Sequence, residues 1–499
     1  MTEKLLLVNP RHPERLMRLN IPLGLLYVGT AASRQGYQVN ILDVNNYPNQ
    51  RAFMERLEEE LEGVFAVGLS VMTAQITSAI EISRRVRQVN PAASIIWGGA
   101  HPTMYLEQVA ASEYADFAVK REGEDTIVEL LAAIGGQTDP EQVKGIAFKA
   151  ENGVVTTEDR EPVDINRLPP LEWDLAEDIR SIGDITEVAR RTGVGLPIFT
   201  SRGCPHRCTF CINPVLKNKY RFRDAELVLK DIEDIVNLGV DCISFFDEDL
   251  FANRKRLVQI VDGITARGLK FRWFAATRVD YFRAGRMDTD LLARIKESGC
   301  QQLGFGVESG SQRILDYLKK DITVEDTVHA ARMVDSVDID ATFSFMIALP
   351  GEEAEDIRQT VELITNITGI NSSFRVLGPF IYRPYPGSEL YFQCLKEGMK
   401  EPATLEEWAV SPYVGSEIRP ADFYLFPWAR YPMEDLTRLI FYSWMAGLRL
   451  RVPFLTRMSR AVGSLRCRYL FFRWPVERAA VRLLKRFQVD RLLSAGKFE

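Results

Sequence analysis

The hydrophobic positions of the first 135 residues fall into short apolar runs separated by amphipathic stretches of helical length. Five runs predict buried strands: KLLLVNP, QVNILDV, FAVGLSVMT, SIIWGGAHP and DFAVKRE. Nearly continuous apolar strands joined by helical crossovers are typical of a parallel sheet covered on both faces. We therefore predict a doubly wound α/β domain at residues 1–140, with its ligand beyond the carboxyl ends of the strands.

The pattern changes after this domain. GIAFKAENGVVTTEDREPVDINRLPPLEWDL predicts a small hairpin and a proline-rich linker at 141–195. From LPIFTSRGC to Pro386 the strand-then-helix rhythm returns, with strand candidates PIFTS, CISFFDE, FRWFAATR, QLGFGVES, DATFSFMIALP and SFRVLGPFI. Six such units predict a partial β/α barrel at 196–390, whose active site would lie at the strand C-termini. Helical patterns prevail at 391–499, so we predict a mainly helical C-terminal region.

Length and cysteine usage narrow the class of protein. A chain of 499 residues exceeds a single core, so several domains are expected. No run of eighteen apolar residues indicates a transmembrane helix. The seven cysteines are odd in number and irregularly spaced, which does not predict a disulfide framework. We therefore expect a cytoplasmic protein, in which clustered thiols are metal ligands.

Charge is distributed unevenly along the chain. Residues 449–499 contain thirteen Lys or Arg and three acidic residues, whereas the whole chain carries a net charge of −6. The arginines alternate with Leu, Phe, Trp and Tyr, a pattern of helices that lie on an anionic membrane surface. Two other interpretations remain: a helical cap whose Arg stems pack on the barrel, and, least favoured, nucleic-acid binding. The membrane interpretation predicts a peripheral position at the inner membrane face.

Three of the cysteines lie within eight residues, in TSRGCPHRCTFCINP. Cys204, Cys208 and Cys211 follow the strand PIFTS with the spacing C-x3-C-x2-C. A zinc site would need a fourth ligand at a paired spacing, and no second C-x-x-C follows. Iron–sulfur clusters normally take four thiolates, so three would leave one iron open for chemistry.

This segment resembles the signature of the radical S-adenosylmethionine (SAM) superfamily, including the aromatic Phe210 before the last cysteine. The resemblance implies that Cys204, Cys208 and Cys211 bind a 4Fe–4S cluster and are catalytic through it. It also implies that SAM binds the open iron and is cleaved to a 5′-deoxyadenosyl radical.

Two further segments are similar to the SAM-binding parts of that superfamily. SFFDEDLF places Asp247, Glu248 and Asp249 at a strand end, where acidic groups would receive the SAM ammonium, and Asp247 and Glu248 are the candidates; a solvated acidic turn is the alternative interpretation. LGFGVESGS places Glu308 and Ser309 at another strand end, where they would approach SAM.

The N-terminal domain resembles the cobalamin-binding domain of one radical SAM branch. The matching features are Ser70 in GLSVMT and the pair Gly98 and Gly99 in WGGAHPT, which would accommodate the nucleotide tail of cobalamin. The usual Asp-x-His-x-x-Gly segment is absent, because the chain reads NPRHPERLM after the first strand. His12 therefore lacks the expected spacing of a cobalt ligand, and a domain that has lost cobalamin remains an alternative.

Together these features resemble the branch that contains class B methyltransferases and magnesium-protoporphyrin ester cyclases. We predict an enzyme that methylates an unactivated carbon of a small molecule, which the aromatic basic tail suggests is hydrophobic, with a flavodoxin or ferredoxin as electron donor. The alternatives are an oxidative cyclase or ring-rearranging enzyme, and, in another class, an iron–sulfur carrier without SAM chemistry. A tRNA methylthiolase is disfavoured, because residues 1–203 contain no cysteine.

Overall fold

The computed structural model describes residues 3–13, 21–177, 195–216, 219–371, 373–411, 426–429 and 453–469. The chain forms two compact units. The first comprises Met1–Ile198, Phe222–Ser244 and Lys400–Ile418, and the second comprises Phe199–Arg221, Phe245–Met399 and Arg419–Glu499.

Strands and helices alternate along most of the described chain. The strands are β1 (Lys4–Asn9), β2 (Gln38–Asp43), β3 (Val64–Ser70), β4 (Ser94–Gly98), β5 (Phe117–Val119), β6 (Ile146–Ala150), β7 (Gly153–Thr156), β8 (Leu196–Ile198), β9 (Ser201–Arg202), β10 (Arg221–Phe222), β11 (Cys242–Phe245), β12 (Arg272–Thr277), β13 (Cys300–Glu308), β14 (Asp340–Ile347) and β15 (Arg375–Ile381). The helices are α1 (Leu23–Ser33), α2 (Gln50–Glu60), α3 (Ile76–Val89), α4 (Ala100–Met104), α5 (Leu106–Ala111), α6 (Glu124–Ile134), α7 (Ile212–Val215), α8 (Ala225–Asn237), α9 (Arg254–Ala266), α10 (Thr289–Glu297), α11 (Gln312–Tyr317), α12 (Val324–Ser336), α13 (Ala354–Ile370), α14 (Glu389–Lys396), α15 (Leu405–Ala409) and α16 (Pro453–Arg468).

A seven-stranded sheet lies at the centre of the first unit, in the order β2-β1-β3-β4-β5-β6-β7. Strands β1 to β5 pair in parallel, and all five were predicted from the apolar runs. The strand order reverses direction between β1 and β3, which creates a crevice at the carboxyl ends of these strands. The predicted hairpin forms as β6 and β7, and it extends the same sheet by antiparallel pairing with β5.

The core of the first unit explains why these segments form strands. The central residues of β1, Leu5 to Val8, are almost completely buried, so each side of this strand packs against apolar neighbours. Trp97 of β4 is also fully buried, and its indole Nε1 donates to Ser83 Oγ at 3.0 Å, which satisfies its only polar group. Trp408 of α15 packs into the same core.

A second sheet has six strands in the order β15-β14-β13-β12-β11-β8. Strands β12 to β15 pair in parallel, and each of the six predicted strands corresponds to one strand of this sheet. The predicted α/β fold, with a parallel sheet in each part and a partial β/α barrel, is therefore confirmed. Strand β8, which leads into the cysteine segment, is at one end of the order.

Aromatic side chains fill the centre of the second unit. Phe282, Phe305, Phe343 and Phe374 form a continuous row whose neighbouring ring centroids are 5.3, 5.1 and 5.6 Å apart. Each is almost fully buried. Edge-to-face and offset contacts of this kind add to the stabilisation from burial itself. The row of rings therefore stabilises the packing around β13 and β14.

The described parts of the C-terminal region contain the helices α14, α15 and α16 and no strand, as the helical patterns predicted. Most of the basic segment 449–499 lies outside the described residues. Within the described part of the chain, no helix combines the length and apolar character needed to cross a bilayer.

Candidate functional site

The cysteine segment begins directly after β8 and is held by contacts that do not involve sulfur. Asp247, two residues past β11, accepts hydrogen bonds from Thr200 N at 2.5 Å and Ser201 N at 3.0 Å. Arg256 Nη2 donates to Thr200 O at 2.7 Å. Gly203 has a φ of +78°, a conformation that favours glycine, and it turns the chain into the loop. The backbone before Cys204 is thereby fixed by the fold.

The three thiols lie close enough to influence one another. Burial raises the pKa of the Cys204 thiol to about 12, and the charges of Asp249, Cys208 and Cys211 add to this. Burial also raises the pKa of Cys211. Deprotonated thiols here therefore require a cation, and the metal ions of a cluster supply that charge.

Two protein cations lie next to the cysteine segment. Arg278 Nη1 is 3.8 Å from Cys208 Sγ, and Lys320 Nζ is 5.6 Å from the ring centroid of Phe210. The Lys320 charge opposes the rise in the pKa of Cys211. Three thiols in a loop flanked by buried cations fit an anionic iron–sulfur cluster.

The two carboxylates predicted to bind SAM, Asp247 and Glu248, lie in different surroundings. The Asp247 carboxylate is buried and already accepts bonds from Thr200 and Ser201, including the Thr200 hydroxyl. Glu248 is exposed. The structure therefore gives Asp247 a role in positioning the cysteine loop, and it leaves the two predicted side chains in unlike surroundings.

Asp249, the next acidic residue, lies beside the first cysteine. Its Oδ2 accepts from Tyr281 OH at 2.5 Å and is 3.3 Å from His206 Nε2 and 3.9 Å from Cys204 Sγ. Asp249 is 2% exposed, and its Oδ1 has no hydrogen-bond partner among the described residues. Potential ligand atoms of Cys204, His206 and Asp249 all lie within 4.8 Å of one another. A buried, unpaired carboxylate oxygen at this point calls for a cationic or hydrogen-donating ligand.

Glu308 is the last residue of β13, Ser309 follows it, and both have protein partners. Glu308 has a φ of +73°, and its Oε1 accepts from Lys320 Nζ at 2.8 Å. Ser309 Oγ is 3.1 Å from Thr360 Oγ1 of α13. A Cβ at Gly306 would lie 2.8 Å from Glu308 Oε1, so this glycine makes room for the ion pair.

Glu352 is a further buried carboxylate that the sequence did not single out. It follows β14, is 2% exposed and has one oxygen bonded to Ala348 N at 2.6 Å. Its Oε1 has no partner in the described part of the chain. Burial raises the pKa of Glu352 to about 8. Its burial is a result of packing after β14 and is not evident from the sequence.

In the first unit the structure brings the three predicted cobalamin-binding residues together. Ser70 at the end of β3 pairs in register with Gly98 at the end of β4, and Gly99 follows. Gly99 has a φ of +99°, and a Cβ there would lie 2.9 Å from Val71 N. A Cβ at Gly98 would meet only Val119 Cβ, at 3.8 Å. Packing of the described residues therefore does not exclude a side chain at Gly98, in contrast to Gly99.

His101 lies in α4, two residues after Gly99. The sequence pattern did not single it out as a site residue. It is completely buried, its Nδ1 is 3.3 Å from Thr73 Oγ1, and its Nε2 has no partner among the described residues. Burial lowers the pKa of His101 to about 3, so the ring is neutral. His12, in the loop after β1, is also buried. The neutral His101 ring is therefore part of the packing beside the glycines rather than of an exposed surface.

Comparison with known proteins supports both the iron–sulfur site of the cysteine segment and the cobalamin site of the first unit. Residues 198–364 match the family model "Radical SAM superfamily" and residues 19–131 match "B12 binding domain". An uncharacterized methyltransferase of Pyrococcus horikoshii is 26% identical over 404 residues, which cover 78% of this chain and 82% of that protein. The anaerobic magnesium-protoporphyrin IX monomethyl ester cyclase of Cereibacter sphaeroides is 29% identical over 352 residues, covering 68% of this chain but only 56% of the cyclase.

A solved structure has the same fold. The radical S-adenosylmethionine methyltransferase TsrM of Kitasatospora setae, with cobalamin and a 4Fe–4S cluster bound, superposes with a TM-score of 0.64. The two sequences are 19% identical, and the match covers 82% of this chain and 81% of TsrM.

Proposed function

Since the chain belongs to the radical SAM superfamily and carries a B12-binding domain, we propose that it transfers a methyl group to an unactivated carbon of a small molecule. The observation that carries the proposal is the presence of both domains in one chain, with Cys204, Cys208 and Cys211 inside the matched radical SAM segment. Its cofactors are a 4Fe–4S cluster, SAM and cobalamin. When bound, they supply one-electron cleavage of SAM to a 5′-deoxyadenosyl radical and a methyl group carried on cobalt.

We assign the protein's own residues to distinct tasks in this chemistry. Cys204, Cys208 and Cys211 would hold the cluster, leaving one iron open. Asp247 positions their loop through Thr200 and Ser201. This role differs from the SAM contact that the sequence predicted for it.

Asp249 is the better candidate for the SAM ammonium. Its unpaired Oδ1 and its position 3.9 Å from Cys204 Sγ support this role. Glu308, whose charge is balanced by Lys320, would accept a hydrogen bond from a hydroxyl rather than bind a second cation. Ser309 is bonded to α13 and would hold the backbone after β13 in place.

In the first unit, Ser70, Gly98 and Gly99 would accommodate the nucleotide tail of cobalamin. Among the described residues, the absence of close protein contacts at Gly98, where a Cβ would meet one atom at 3.8 Å, supports this proposal. His101 is completely buried and its backbone N donates to Val71 O at 3.0 Å, so it would hold the segment after Gly99 in place rather than contact that tail.

The proposal is tested under anaerobic conditions with the full chain. The protein is reconstituted with iron and sulfide and incubated with methylcobalamin, SAM and a low-potential reductant, and 5′-deoxyadenosine and S-adenosylhomocysteine are quantified. We expect both products. An intact cluster with neither product would contradict the proposal and favour an iron–sulfur carrier.

Variants at two adjacent carboxylates identify the SAM contact when equilibrium binding of SAM to the reconstituted protein is measured. Asp249→Asn is expected to weaken SAM binding about tenfold or more, equivalent to roughly 1.4 kcal/mol, because the ammonium would lose its buried countercharge. Glu248→Gln, the matched control at an exposed carboxylate, should bind SAM as the wild type does. The reverse pattern would assign the ammonium to Glu248.

A cyclase or ring-rearranging enzyme is the second candidate. It is supported by the cyclase of Cereibacter sphaeroides, the more identical of the two relatives described above. The two candidates differ in the turnover experiment, since only a methyltransferase requires S-adenosylhomocysteine as a product. A flavodoxin or ferredoxin as electron donor and a hydrophobic substrate stay parts of the proposal.

We also propose the domain division 1–140, 141–195, 196–390 and 391–499. The family matches at 19–131 and 198–364 support its first and third parts. The pairing of β6 with β5 shows that the hairpin belongs to the sheet of the first unit, although it falls in the segment 141–195.

Contact with an anionic membrane surface stays a prediction, supported by α16. Phe454, Met458, Leu465 and Tyr469 are more than half exposed, and their spacing places them on one face of the helix. Arg457 beside them is exposed too. A double change of Phe454 and Leu465 to Ser should reduce co-sedimentation with vesicles of anionic lipid, whereas Val410→Ser, at another exposed apolar residue, should not. Failure of the unchanged protein to sediment would remove the prediction.

A further inference from the structure

We infer that Arg278 raises the reduction potential of the iron–sulfur cluster and that Asp280 moderates this effect. The inference rests on the proposed function only in that Cys204, Cys208 and Cys211 bind a cluster. Arg278 would act as a positioning and tuning residue through Cys208, without touching substrate.

Arg278 is held in one orientation by three partners. It follows β12 and is 8% exposed. Its Nε donates to Asp280 Oδ1 at 2.9 Å, its Nη2 donates to Lys320 O, and its Nη1 is 3.8 Å from Cys208 Sγ. A planar guanidinium bound on three sides has little freedom to turn, so the donor directed at sulfur is fixed by the fold.

The charge of this group acts across a poorly hydrated environment. Hydrogen bonds to the sulfurs, net charge and solvent exposure set the potentials of iron–sulfur clusters. Reduction adds one negative charge to the cluster, and a nearby buried cation stabilises that charge more than it would in water. Arg278 therefore favours the reduced form.

Asp280 opposes part of this effect. It is 5% exposed and forms an ion pair with Arg278, so the net charge facing Cys208 is smaller than that of a free guanidinium. An asparagine at 280 would keep the acceptor oxygen for Arg278 Nε and remove only the negative charge.

The step concerned is a single electron transfer. One electron passes from a low-potential one-electron reductant to the cluster, whose charge falls from 2+ to 1+, and the reductant is oxidised by one electron. No bond forms or breaks and no proton is required.

The test is an anaerobic redox titration of the reconstituted full chain with dithionite and mediators, followed by the electron paramagnetic resonance signal of the reduced cluster. We expect Arg278→Gln to shift the midpoint potential to a more negative value. Asp280→Asn should shift it to a more positive value. The exposed ion pair of Arg294 with Asp262 provides the matched controls Arg294→Gln and Asp262→Asn, which should leave the potential unchanged.

Opposite shifts would not arise from a purely structural role, since Asp280→Asn preserves the shape of the site. Unchanged potentials in both variants, or a negative shift for Asp280→Asn, would overturn the inference. Should Arg278→Gln fail to fold, the sign of the Asp280→Asn shift decides alone. The titration needs neither SAM nor cobalamin, so a wild-type protein that binds no cluster would instead refute the assignment of the three cysteines.

Discussion

Replacing Cys204, Cys208 or Cys211 with Ala is expected to yield a folded protein that lacks 4Fe–4S absorbance and forms no detectable 5′-deoxyadenosine. Three of the four irons would each take one thiolate, and two cysteines cannot hold a cluster that already lacks a fourth. The loop should survive the loss of one sulfur, because Asp247 and Arg256 hold its backbone independently. Circular dichroism establishes folding, and iron and sulfide analysis establishes the loss of the cluster.

Cys300→Ala and Cys394→Ala are the matched controls for this experiment. Both side chains are fully buried, both are distant in sequence from the loop, and neither belongs to the C-x3-C-x2-C spacing. They should retain full iron content, with a modest loss of stability from the removed sulfur. Full cluster content in any of the three loop variants would contradict the assignment of that cysteine as a ligand.

The sequence predicted the strands well because local patterns encode them. Strand β1 reads LLLV between polar residues and is buried on both sides, which is what a parallel strand between two neighbours requires. The hairpin of β6 and β7 was also predicted, but its attachment to β5 was not. That attachment depends on pairing between Phe117 and Phe148, a contact between distant residues that carries no local pattern.

The candidate site was predictable in its ligand types and less so in its individual carboxylates. The segment 247–249 contains three acidic residues in a row. The sequence does not reveal which of these carboxylates already has a hydrogen-bond partner within the protein. Thr200, which donates a hydrogen bond to Asp247, is distant from that residue in sequence. Tyr281, which donates to one oxygen of Asp249, is distant in sequence too. The unpaired Asp249 Oδ1 therefore emerges only from the folded arrangement.

The same limit applies to His101. Its segment WGGAHPT drew attention to the glycines, because glycine pairs signal close approach of a backbone to a ligand. A single histidine after them is ordinary in sequence. Its complete burial, with one nitrogen bonded and the other unpaired, is a property of packing between Thr73, Tyr105 and Trp408.

The two neighbouring glycines of the first unit should respond differently to the same substitution. Gly98→Ala is expected to preserve the melting temperature and to weaken cobalamin binding at least tenfold, about 1.4 kcal/mol. The new methyl group meets the protein only at 3.8 Å, so it occupies space that we propose for the cofactor. Gly99→Ala should instead lower the melting temperature, because its φ of +99° is unfavourable for alanine and its Cβ would crowd Val71 N.

Cobalamin retained after desalting, read from its visible absorbance, measures the binding, and a thermal melt of the apoprotein measures stability. Gly135→Ala, which adds a methyl group after α6 with ordinary contacts of 3.4 Å or more, is the matched control and should change neither quantity appreciably. If Gly98→Ala bound cobalamin normally, the nucleotide tail would not pass over Gly98. If wild-type protein bound none, the domain would have kept its fold and lost its cofactor. Weaker cobalamin binding by Gly98→Ala at an unchanged melting temperature would show that Gly98 faces the ligand. Gly99, in contrast, is required by the conformation of the backbone.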